Sequence, residues 1–385
     1  MKNMSNVLIK ELGRVITGNT PSKSNKAFYA SDDIAFVKPD IINEGEITYI
    51  KSAKEFISEQ ARSKARIVQN NAVFVTCIGI IGKIGIIDGG EYAFNQQINV
   101  IEPNEKISSK YLAYCLLYNR NRLAHIANAP VVPIINKTQF ENFEINIVDE
   151  REEQDKIVKK LNKITNVINM YEEQLEQYNL LIKARFVEMF GEPVSNSFHL
   201  PEATLPELGK LGRGVSKYRP RNAPELLGGP YPLIQTGEVA AADLYITSYE
   251  NTYSELGFRQ SKMWDKGTLC ITIAANIAKT AILGFDACFP DSVVGFNANE
   301  KANNIFIHYW FSFFQAILEA QAPESAQKNI NLKILSELKI NVPPIDKQNE
   351  FAEFVQQVDK LKCTTQKSID QIQTLFDSLM QKYFG

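Results

Sequence analysis

The sequence is poor in the residues that build metal centres and nucleophilic active sites. Only three histidines occur, His125, His199 and His308, and they lie far apart in the 385-residue chain. This scarcity argues against a histidine-based metal site or catalytic triad. The five cysteines form no C-x-x-C pair, so they are predicted to be reduced, mostly buried thiols of a cytoplasmic protein.

Long apolar runs and an excess of one charge are also missing. No apolar run reaches the length of a membrane span, and the opening residues MKNMSNVLIKELG lack the apolar segment of a secretory signal. The sequence therefore predicts no membrane partner and a cytoplasmic location. Because the formal net charge is only −2, any surface that binds nucleic acid must be local.

The motifs of two enzyme classes are missing as well. An adenine methyltransferase needs an N/D-P-P-Y/F loop, and only a misordered NVPP occurs, at 341–344. GIIGKIG at 79–85 fails the spacing of a phosphate-binding loop, with Ile84 where a hydroxyl belongs. It is better explained as a turn between two strands. We therefore predict a protein without catalytic function of its own.

What the sequence does contain is a tandem repeat with a period of about 195 residues. Three stretches recur: ELGRVITGN (11–19) as ELGKLGRGV (207–215), VFVTCIGIIGKIGIIDG (73–89) as LCITIAANIAKTAILGF (269–285), and IINKTQFENFEINIV (134–148) as NINLKILSELKINVP (329–343). Gln154 matches Gln348, and Phe190 matches Phe384. The chain is therefore predicted to contain two copies of one ancestral unit.

Each copy is predicted to be a compact α+β domain followed by a long helix. From Ile157 onwards, apolar residues recur at steps of three and four with a mean close to 3.5, as in a coiled-coil seam. The second copy keeps this frame across polar Lys362 and Thr365. The predicted seam residues are Leu161, Ile164, Ile168, Leu175, Ile182, Val355, Val358, Ile369, Ile372, Phe376 and Leu379. Pairing within the chain is favoured by high effective concentration, with homodimerisation as the alternative.

The two domains differ most at one corresponding stretch. Residues 208–224 carry five basic residues and no acid, whereas the matching TGNTPSKSNK at 17–26 is rich in hydroxyl and amide groups. Arginine recognises guanine, asparagine and glutamine recognise adenine, and lysine contacts phosphates. Two domains that read different DNA sequences would differ in this way. A solvated basic loop is the alternative explanation.

Further differences between the copies extend the predicted DNA-contacting set, although each residue could instead satisfy backbone groups in a turn. The predicted residues of the first copy are Thr17, Asn19, Thr20, Ser22, Lys23, Lys38, Lys83, Asn95, Gln96 and Gln97. Those of the second copy are Arg213, Ser216, Lys217, Tyr218, Arg219, Arg221, Gln235, Thr236, Lys279 and Ser292.

A set of phrases recurs in a fixed order along the chain. They are LGRVITGNTPSKSN, FVKPDI, GIIGKIGII, YPLIQTGEV and the helix openings REEQDKIVKKLNKI and DKQNEFAEFVQQVDKL. In order, duplication and spacing, the sequence resembles the specificity subunits of type I restriction-modification systems over essentially its whole length. The second copy departs from the pattern, with GRGVSKYRP for a G-x-T-P-S phrase and ANIAK for GIIGK.

The resemblance implies an α+β protein with an internal pseudo-two-fold repeat. Two globular α/β target recognition domains would be separated by two long helices that pair as an antiparallel coiled coil. The expected divisions are 1–148 (first recognition domain), 149–191 (central helix), 192–344 (second recognition domain) and 345–385 (distal helix).

The resemblance also implies a function. Each recognition domain would read one half of a split, asymmetric double-stranded DNA target, and the helices would fix the gap between the halves. Two methyltransferase subunits would bind, and restriction-translocase subunits could join. The chain itself would hold no cofactor and no metal; S-adenosylmethionine and ATP would belong to the partner subunits. A two-headed adaptor for proteins or glycans is the competing interpretation.

Overall fold

The computed structural model describes residues 4–87, 89–127, 132–274, 277–321 and 332–385. Residues 329–331, where one of the repeated stretches begins, lie outside the described residues. Contacts divide the chain into unit 1, Met1–Glu172 with Lys367–Gly385, and unit 2, Glu173–Gln366. We call the part of unit 1 before residue 151 head 1, and the part of unit 2 between residues 190 and 345 head 2.

Unit 1 combines short strands with mostly short helices. Its strands are β1 (Met4–Leu8), β2 (Gly13–Thr17), β3 (Ile34–Val37), β4 (Ile47–Tyr49), β5 (Glu55–Ile57), β6 (Ile67–Gln69), β7 (Val73–Thr76), β8 (Ile84–Ile86), β9 (Glu91–Phe94), β10 (Ile98–Pro103) and β11 (Glu144–Val148). Its α-helices are α1 (Ile9–Leu12), α2 (Ser109–Tyr118), α3 (Arg120–His125), α4 (Lys137–Glu141) and the first part of α5 (Arg151–Phe190), with 3₁₀ turns at Lys26–Tyr29, Pro39–Ile41 and Glu59–Lys64.

Unit 2 repeats this series of elements. Its strands are β12 (Glu202–Thr204), β13 (Gly209–Arg213), β14 (Leu227–Leu233), β15 (Tyr245–Ile246), β16 (Asn251–Tyr253), β17 (Met263–Trp264), β18 (Leu269–Thr272), β19 (Thr280–Leu283), β20 (Ala287–Cys288), β21 (Val293–Ala298) and β22 (Lys339–Asn341). Its α-helices besides α5 are α6 (Leu205–Leu208), α7 (Thr236–Ala241), α8 (Glu255–Arg259), α9 (Asn304–Gln321), α10 (Leu332–Glu337) and α11 (Ile345–Phe384), with a 3₁₀ turn at Pro224–Leu226.

The two heads have the same sheet topology. In head 1 a five-stranded sheet has the order β2-β10-β7-β8-β4, and a four-stranded sheet has the order β5-β3-β9-β6. In head 2 the orders are β13-β21-β18-β19-β15 and β16-β14-β20-β17. The parallel pairs also correspond, β3 with β9 and β14 with β20. The predicted α+β repeat is therefore confirmed at the level of strand order.

The Val- and Ile-rich stretches form the centres of the five-stranded sheets. Strands β7 and β8 pair antiparallel, as do β18 and β19, so GIIGKIG is a hairpin turn as predicted. Side chains on both faces of β7 and β18 are buried, because further layers of the protein cover both faces of these sheets. That explains their continuous apolar runs rather than an alternating pattern.

One buried glutamine anchors each long helix to its head. The side-chain nitrogen of Gln154 donates to the Lys106 and Val148 carbonyls, each at 2.9 Å. Gln348 makes the corresponding bonds to the Lys301 and Pro343 carbonyls, at 3.0 and 2.8 Å. Both glutamines are fully buried, so the sequence match between them reflects a shared structural role.

The two long helices pack antiparallel within each unit. In unit 1 the beginning of α5, at Ile157 and Leu161, shares a core with the end of α11, at Met380 and Phe384. In unit 2 the end of α5 shares a core with the beginning of α11, and the Phe186 ring lies 5.3 Å from that of Phe351. The predicted pairing of the helices within one chain is thus confirmed.

Every predicted seam position is buried or half-buried, including the polar break. The Lys362 ammonium donates to Asn179 Oδ1 of α5 at 2.6 Å and forms an ion pair with Asp243 of head 2. The lysine thereby keeps polar partners inside the seam, as a buried charge requires. Among the described residues, no helix is long and apolar enough to cross a membrane.

Candidate nucleic-acid interface

The predicted contact residues of head 1 gather at one edge of its five-stranded sheet. Strands β2 and β7 end there, and β10 and β8 begin there, because neighbouring strands of the group are antiparallel. We call this surface edge 1: residues 17–25, 38–41, 77–83 and 94–97. Backbone bonds join its loops, from Asn19 N to Phe94 O at 3.0 Å, Cys77 N to Gln97 O at 2.8 Å, and Asn95 N to Val37 O at 3.2 Å.

Neutral hydrogen-bonding groups dominate the side chains of edge 1. The Thr20 hydroxyl donates to Gln96 Oε1 at 2.8 Å, and the Thr17 hydroxyl donates to Asn99 Oδ1 at 2.7 Å. The hydroxyls of Ser22 and Ser24 lie 2.7 Å apart. Gln96 is exposed, as are Ser22 and Lys23. Amide and hydroxyl groups of this kind can exchange their mutual bonds for bonds to a base edge.

Other predicted residues of edge 1 hold the loops themselves. Asn19 donates to the Lys64 carbonyl at 2.6 Å and accepts from the Arg66 amide at 2.8 Å, which clamps two loops together. The buried Asn95 side chain donates to Gln97 Oε1 at 2.8 Å. Lys38 forms an ion pair with Glu55, and Lys83 donates to the Pro39 carbonyl at 3.1 Å. Asn19, Lys38, Lys83 and Asn95 therefore stabilise the loops of head 1.

Head 2 places its predicted residues at the corresponding edge. We call this surface edge 2: residues 213–222, 234–236, 277–279 and 288–292. Backbone bonds again join the loops, from Gly214 N to Val293 O at 2.9 Å, Val215 N to Phe289 O at 3.2 Å, and Ile234 N to Cys288 O at 2.9 Å. Edge 2 is therefore built on the same backbone frame as edge 1.

The same glycine position opens both edges. A Cβ on Gly18 would lie 2.2 Å from the Asn95 carbonyl oxygen, and one on Gly214 would lie 2.3 Å from the Pro290 carbonyl oxygen. No side chain fits at either place, because the first loop passes directly against the second. The glycine of ITGN and that of GRGV are thus required by one shared backbone contact.

Three arginines of edge 2 converge on one carboxylate residue. Arg221 forms an ion pair with Asp291 Oδ1, and the Arg219 guanidinium lies 3.6 Å from Asp291 Oδ2. Arg213 donates to the Asp291 backbone carbonyl. The Arg219 guanidinium also donates to the carbonyls of Ser216 and Tyr218, at 2.7 and 2.8 Å. Edge 2 is therefore a cationic cluster oriented by one aspartate.

A glutamine outside the predicted set holds the basic loop in place. Gln260 Oε1 accepts from the backbone amides of Lys217 and Tyr218, at 2.5 and 3.0 Å. The Tyr218 hydroxyl donates to Glu225 at 3.2 Å, and this hydrogen bond raises the pKa of the exposed phenol. The Ser216 hydroxyl is buried and has no hydrogen-bond partner among the described residues. The side chains of residues 217–222 are exposed, whereas that of Ser216 is buried.

The remaining predicted residues of head 2 also lie on edge 2. Gln235 is exposed and caps helix α7, whose first residue is Thr236. Lys279 sits in the β18–β19 hairpin, with its backbone amide bonded to the Thr272 hydroxyl at 3.0 Å. The Ser292 carbonyl accepts from Ile273 N at 3.0 Å. The structure therefore places all ten predicted residues of head 2 in the loops of edge 2, with the Ser216 side chain buried beneath them.

Sequence reasoning missed Asn99 and Gln260 as site residues. Asn99 is a buried polar residue inside a strand, a pattern that could have revealed it. Gln260 lies 42 residues beyond the amides it holds, so nothing local in the sequence points to it. An open groove of about 840 Å³ in head 1, lined by Arg14, Arg62 and other charged residues, was also missed. Two of its arginines, Arg14 and Arg62, pair with glutamates, which reduces the attraction of the groove for phosphate.

Comparison with known proteins identifies the family. The model of the type I restriction modification DNA specificity domain matches residues 1–178 and 203–374. The chain belongs to this family. The putative type I restriction enzyme MjaX specificity subunit of Methanocaldococcus jannaschii is 24% identical over 396 residues, which cover 97% of this chain and 90% of that one. The HindI specificity subunit of Haemophilus influenzae is 35% identical over 105 residues, 27% of this chain and 22% of that one.

Solved structures of the specificity family share the fold. The type I restriction-modification S subunit from M. genitalium aligns with a TM-score of 0.60 at 14% identity, covering 100% of this chain and 96% of that one. A chain from a study of complex assembly and conformational transition of the type I system aligns with a TM-score of 0.60 at 18% identity, covering 99% and 97%. The family resemblance and the fold class expected from the sequence are both confirmed. Within the described residues, no group of His, Cys, Asp and Glu side chains could hold a metal ion.

Proposed function

We propose that this specificity subunit reads a bipartite, asymmetric DNA target, with edge 1 on one half-site and edge 2 on the other. The observation that carries the proposal is the contrast between the edges. One backbone frame presents hydroxyl and amide groups in head 1 and an arginine cluster in head 2. Base pairs differ in the major groove by their donors and acceptors, so unlike edges select unlike sequences.

The long helices supply the second part of the proposal. Each is 40 residues long, or about 60 Å at 1.5 Å per residue. Their antiparallel pairing within each unit supports a role as a spacer, which would set the number of base pairs between the half-sites. Fixed geometry between two reading elements sets half-site spacing in other DNA-binding proteins.

The third part concerns partners. We assign methylation to two methyltransferase subunits that bind this chain and carry S-adenosylmethionine, and cleavage to restriction-translocase subunits that use ATP. The chain itself supplies recognition and assembly. With a net charge of −2 it makes few phosphate contacts alone, so duplex binding by the isolated chain should be weak and strongly salt-dependent.

Methylome sequencing tests the assignment of edge 2. Cells expressing the methyltransferase with the unaltered chain should show one bipartite methylated motif. Combined substitution of Lys217, Arg219 and Arg221 by alanine should abolish methylation of that motif or degrade one half of it, while the subunits still copurify. A charge-matched control replaces Lys210, Lys266 and Lys301, which are exposed in head 2 outside edge 2, and should leave the motif unchanged. Full methylation of both half-sites by the first variant would refute the assignment.

A further inference from the structure

We propose that the arginines of edge 2 divide their work: Arg221 recognises a guanine in the half-site of head 2, Asp291 positions it, and Arg219 belongs to the framework of the loop. This inference rests on the proposed function, because it presumes that edge 2 faces DNA. It adds the kind of base that is read and the residue that reads it.

The hydrogen bonds distinguish the two arginines. One terminal nitrogen of Arg219 is engaged by two backbone carbonyls of its own loop, those of Ser216 and Tyr218, and the other lies beside Asp291. Arg221 meets Asp291 through one terminal nitrogen, and its guanidinium has no other protein partner among the described residues. The two side chains are exposed to a similar degree, 45% for Arg221 and 54% for Arg219, so the hydrogen bonds alone distinguish them. A guanidinium has five N–H donors in a rigid fork. Arg221 therefore retains N–H donors that no described protein group engages, whereas both terminal nitrogens of Arg219 lie against protein oxygens.

The carboxylate decides between a base and a phosphate as the target. A phosphate bound to Arg221 would lie next to the Asp291 carboxylate, and this like-charge contact would weaken its binding. The guanine edge presents two neutral acceptors, O6 and N7, which match two parallel N–H groups of arginine. A carboxylate that holds one side of the fork fixes the orientation of the other side, as bidentate recognition requires.

The corresponding turn of head 1 lacks this arrangement. Where head 2 has Asp291, head 1 has Asn95, Gln96 and Gln97, and Thr20 rather than an arginine meets the turn. The guanine contact is accordingly confined to one half-site. The other half-site serves as an internal reference in the same DNA molecule.

The test is a binding selection with the assembled complex of specificity and methyltransferase subunits. Duplexes carry the bipartite motif with each half-site position randomised in turn, and bound DNA is sequenced. The unaltered complex should prefer guanine at one position of one half-site by roughly 5- to 150-fold, the range of one bidentate contact. Arg221→Ala should reduce that preference to near one and leave the other half-site unchanged. Arg221→Lys keeps the charge but should lose most of the same preference.

Two further variants test the division of work. Asp291→Asn should weaken the guanine preference at the same position, and Asp291→Glu should retain more of it. Arg219→Ala should lower affinity for all sequences alike and preserve the preference. As a matched control, Arg14→Ala removes an exposed, glutamate-paired arginine from head 1 and should leave the half-site of head 2 unaltered.

Several outcomes would overturn the inference. Arg221→Ala and Arg221→Lys could keep the guanine preference, or Arg219→Ala could be the variant that removes it. A lost preference for an A·T pair would also contradict it. If instead the unaltered complex shows no bipartite preference at all, the proposed function itself fails, so the two failures are distinguishable.

Discussion

Head 1 and head 2 show how one scaffold can present two unlike surfaces. Their sheets have the same strand order, yet edge 1 pairs threonines with amides and edge 2 surrounds an aspartate with arginines. The strands are buried between layers and tolerate only residues that pack there. The edge residues need only preserve the backbone bonds between loops. Packing of the strands therefore fixes the position of each edge, and the loop residues determine which chemical groups that edge presents.

The largest effect is expected from a change in the length of α5 that leaves both edges unaltered. Inserting four residues after Gln174, within α5, lengthens the helix by about 6 Å and turns its continuation by about 40°. Methylation of the motif with the original spacer should be lost, because the helix that sets the spacer has changed. The complex should then methylate the same two half-sites at a longer spacing, since neither edge has changed, or methylate no site. Methylome sequencing measures this, with Gln174→Ala as the control without insertion. An unchanged spacer would remove the helices from the proposed role.

The second prediction concerns the buried phenylalanine that ends each long helix. Phe190 and Phe384 occupy corresponding, buried places at the ends of α5 and α11, so each Phe→Ala change should cost about 3–5 kcal/mol in its own unit. Both tryptophans, Trp264 and Trp310, lie in unit 2. In urea, Phe190→Ala should therefore shift the tryptophan fluorescence transition, and Phe384→Ala should shift mainly the circular dichroism transition.

The urea experiment needs a control substitution on the exposed face of a long helix. Leu361→Ala removes a side chain that is 50% exposed and should change stability by no more than about 0.5 kcal/mol. If Phe384→Ala moves the tryptophan transition as far as Phe190→Ala does, the two units unfold as one and the assignment of separate cores is wrong.

The smallest expected effect is a pH dependence of the stability of unit 2, caused by its buried histidine. Burial lowers the pKa of His308 to about 4, and its Nδ1 lies 2.9 Å from the Thr280 hydroxyl; Asp243 and Lys362 are the charged groups that also act on the ring. Since the unfolded histidine titrates near 6.5, the unfolded state binds the proton more readily, and unit 2 should lose stability as pH falls from 6.5 towards 4. The loss from pH 7 to pH 5 is about 2 kcal/mol.

The comparison variant for this effect is His308→Gln, which keeps a polar group beside Thr280. Its tryptophan-detected stability should depend on pH less steeply than that of the unaltered chain. Unit 1 buries no histidine among its described residues and should show no such component. Identical pH dependence in the variant and the unaltered chain would mean that the histidine is not held neutral.

The features that could be predicted from the sequence are those in which the two copies kept the same residues. Gln154 and Gln348, the glycines at 18 and 214, and the apolar steps of the helices recur because each copy needs the same packing. The break between α2 and α3 has no counterpart of this kind, because Asn119 ends α2 through hydrogen bonds from its own backbone amide to the Cys115 and Leu117 carbonyls.

The contacts that set the chemistry of the edges could not be predicted in the same way. Asp291 lies 70 residues or more from the arginines that it contacts, and Lys38 pairs with Glu55 of the neighbouring strand. Such pairings depend on which loops the sheets bring together, and a single sequence does not show them. The sequence comparison named residues of the edges, whereas their position along one sheet edge and the partners of their side chains required the fold.

The division of the long helices between the units has a consequence for how the protein is made. The core around Tyr111 in head 1 is completed by Tyr383 and Phe384, which the ribosome adds more than 250 residues later. Until then the nascent first head exposes the part of this apolar core that the last turns of α11 cover. During synthesis, the domain encoded first can therefore be the last to close.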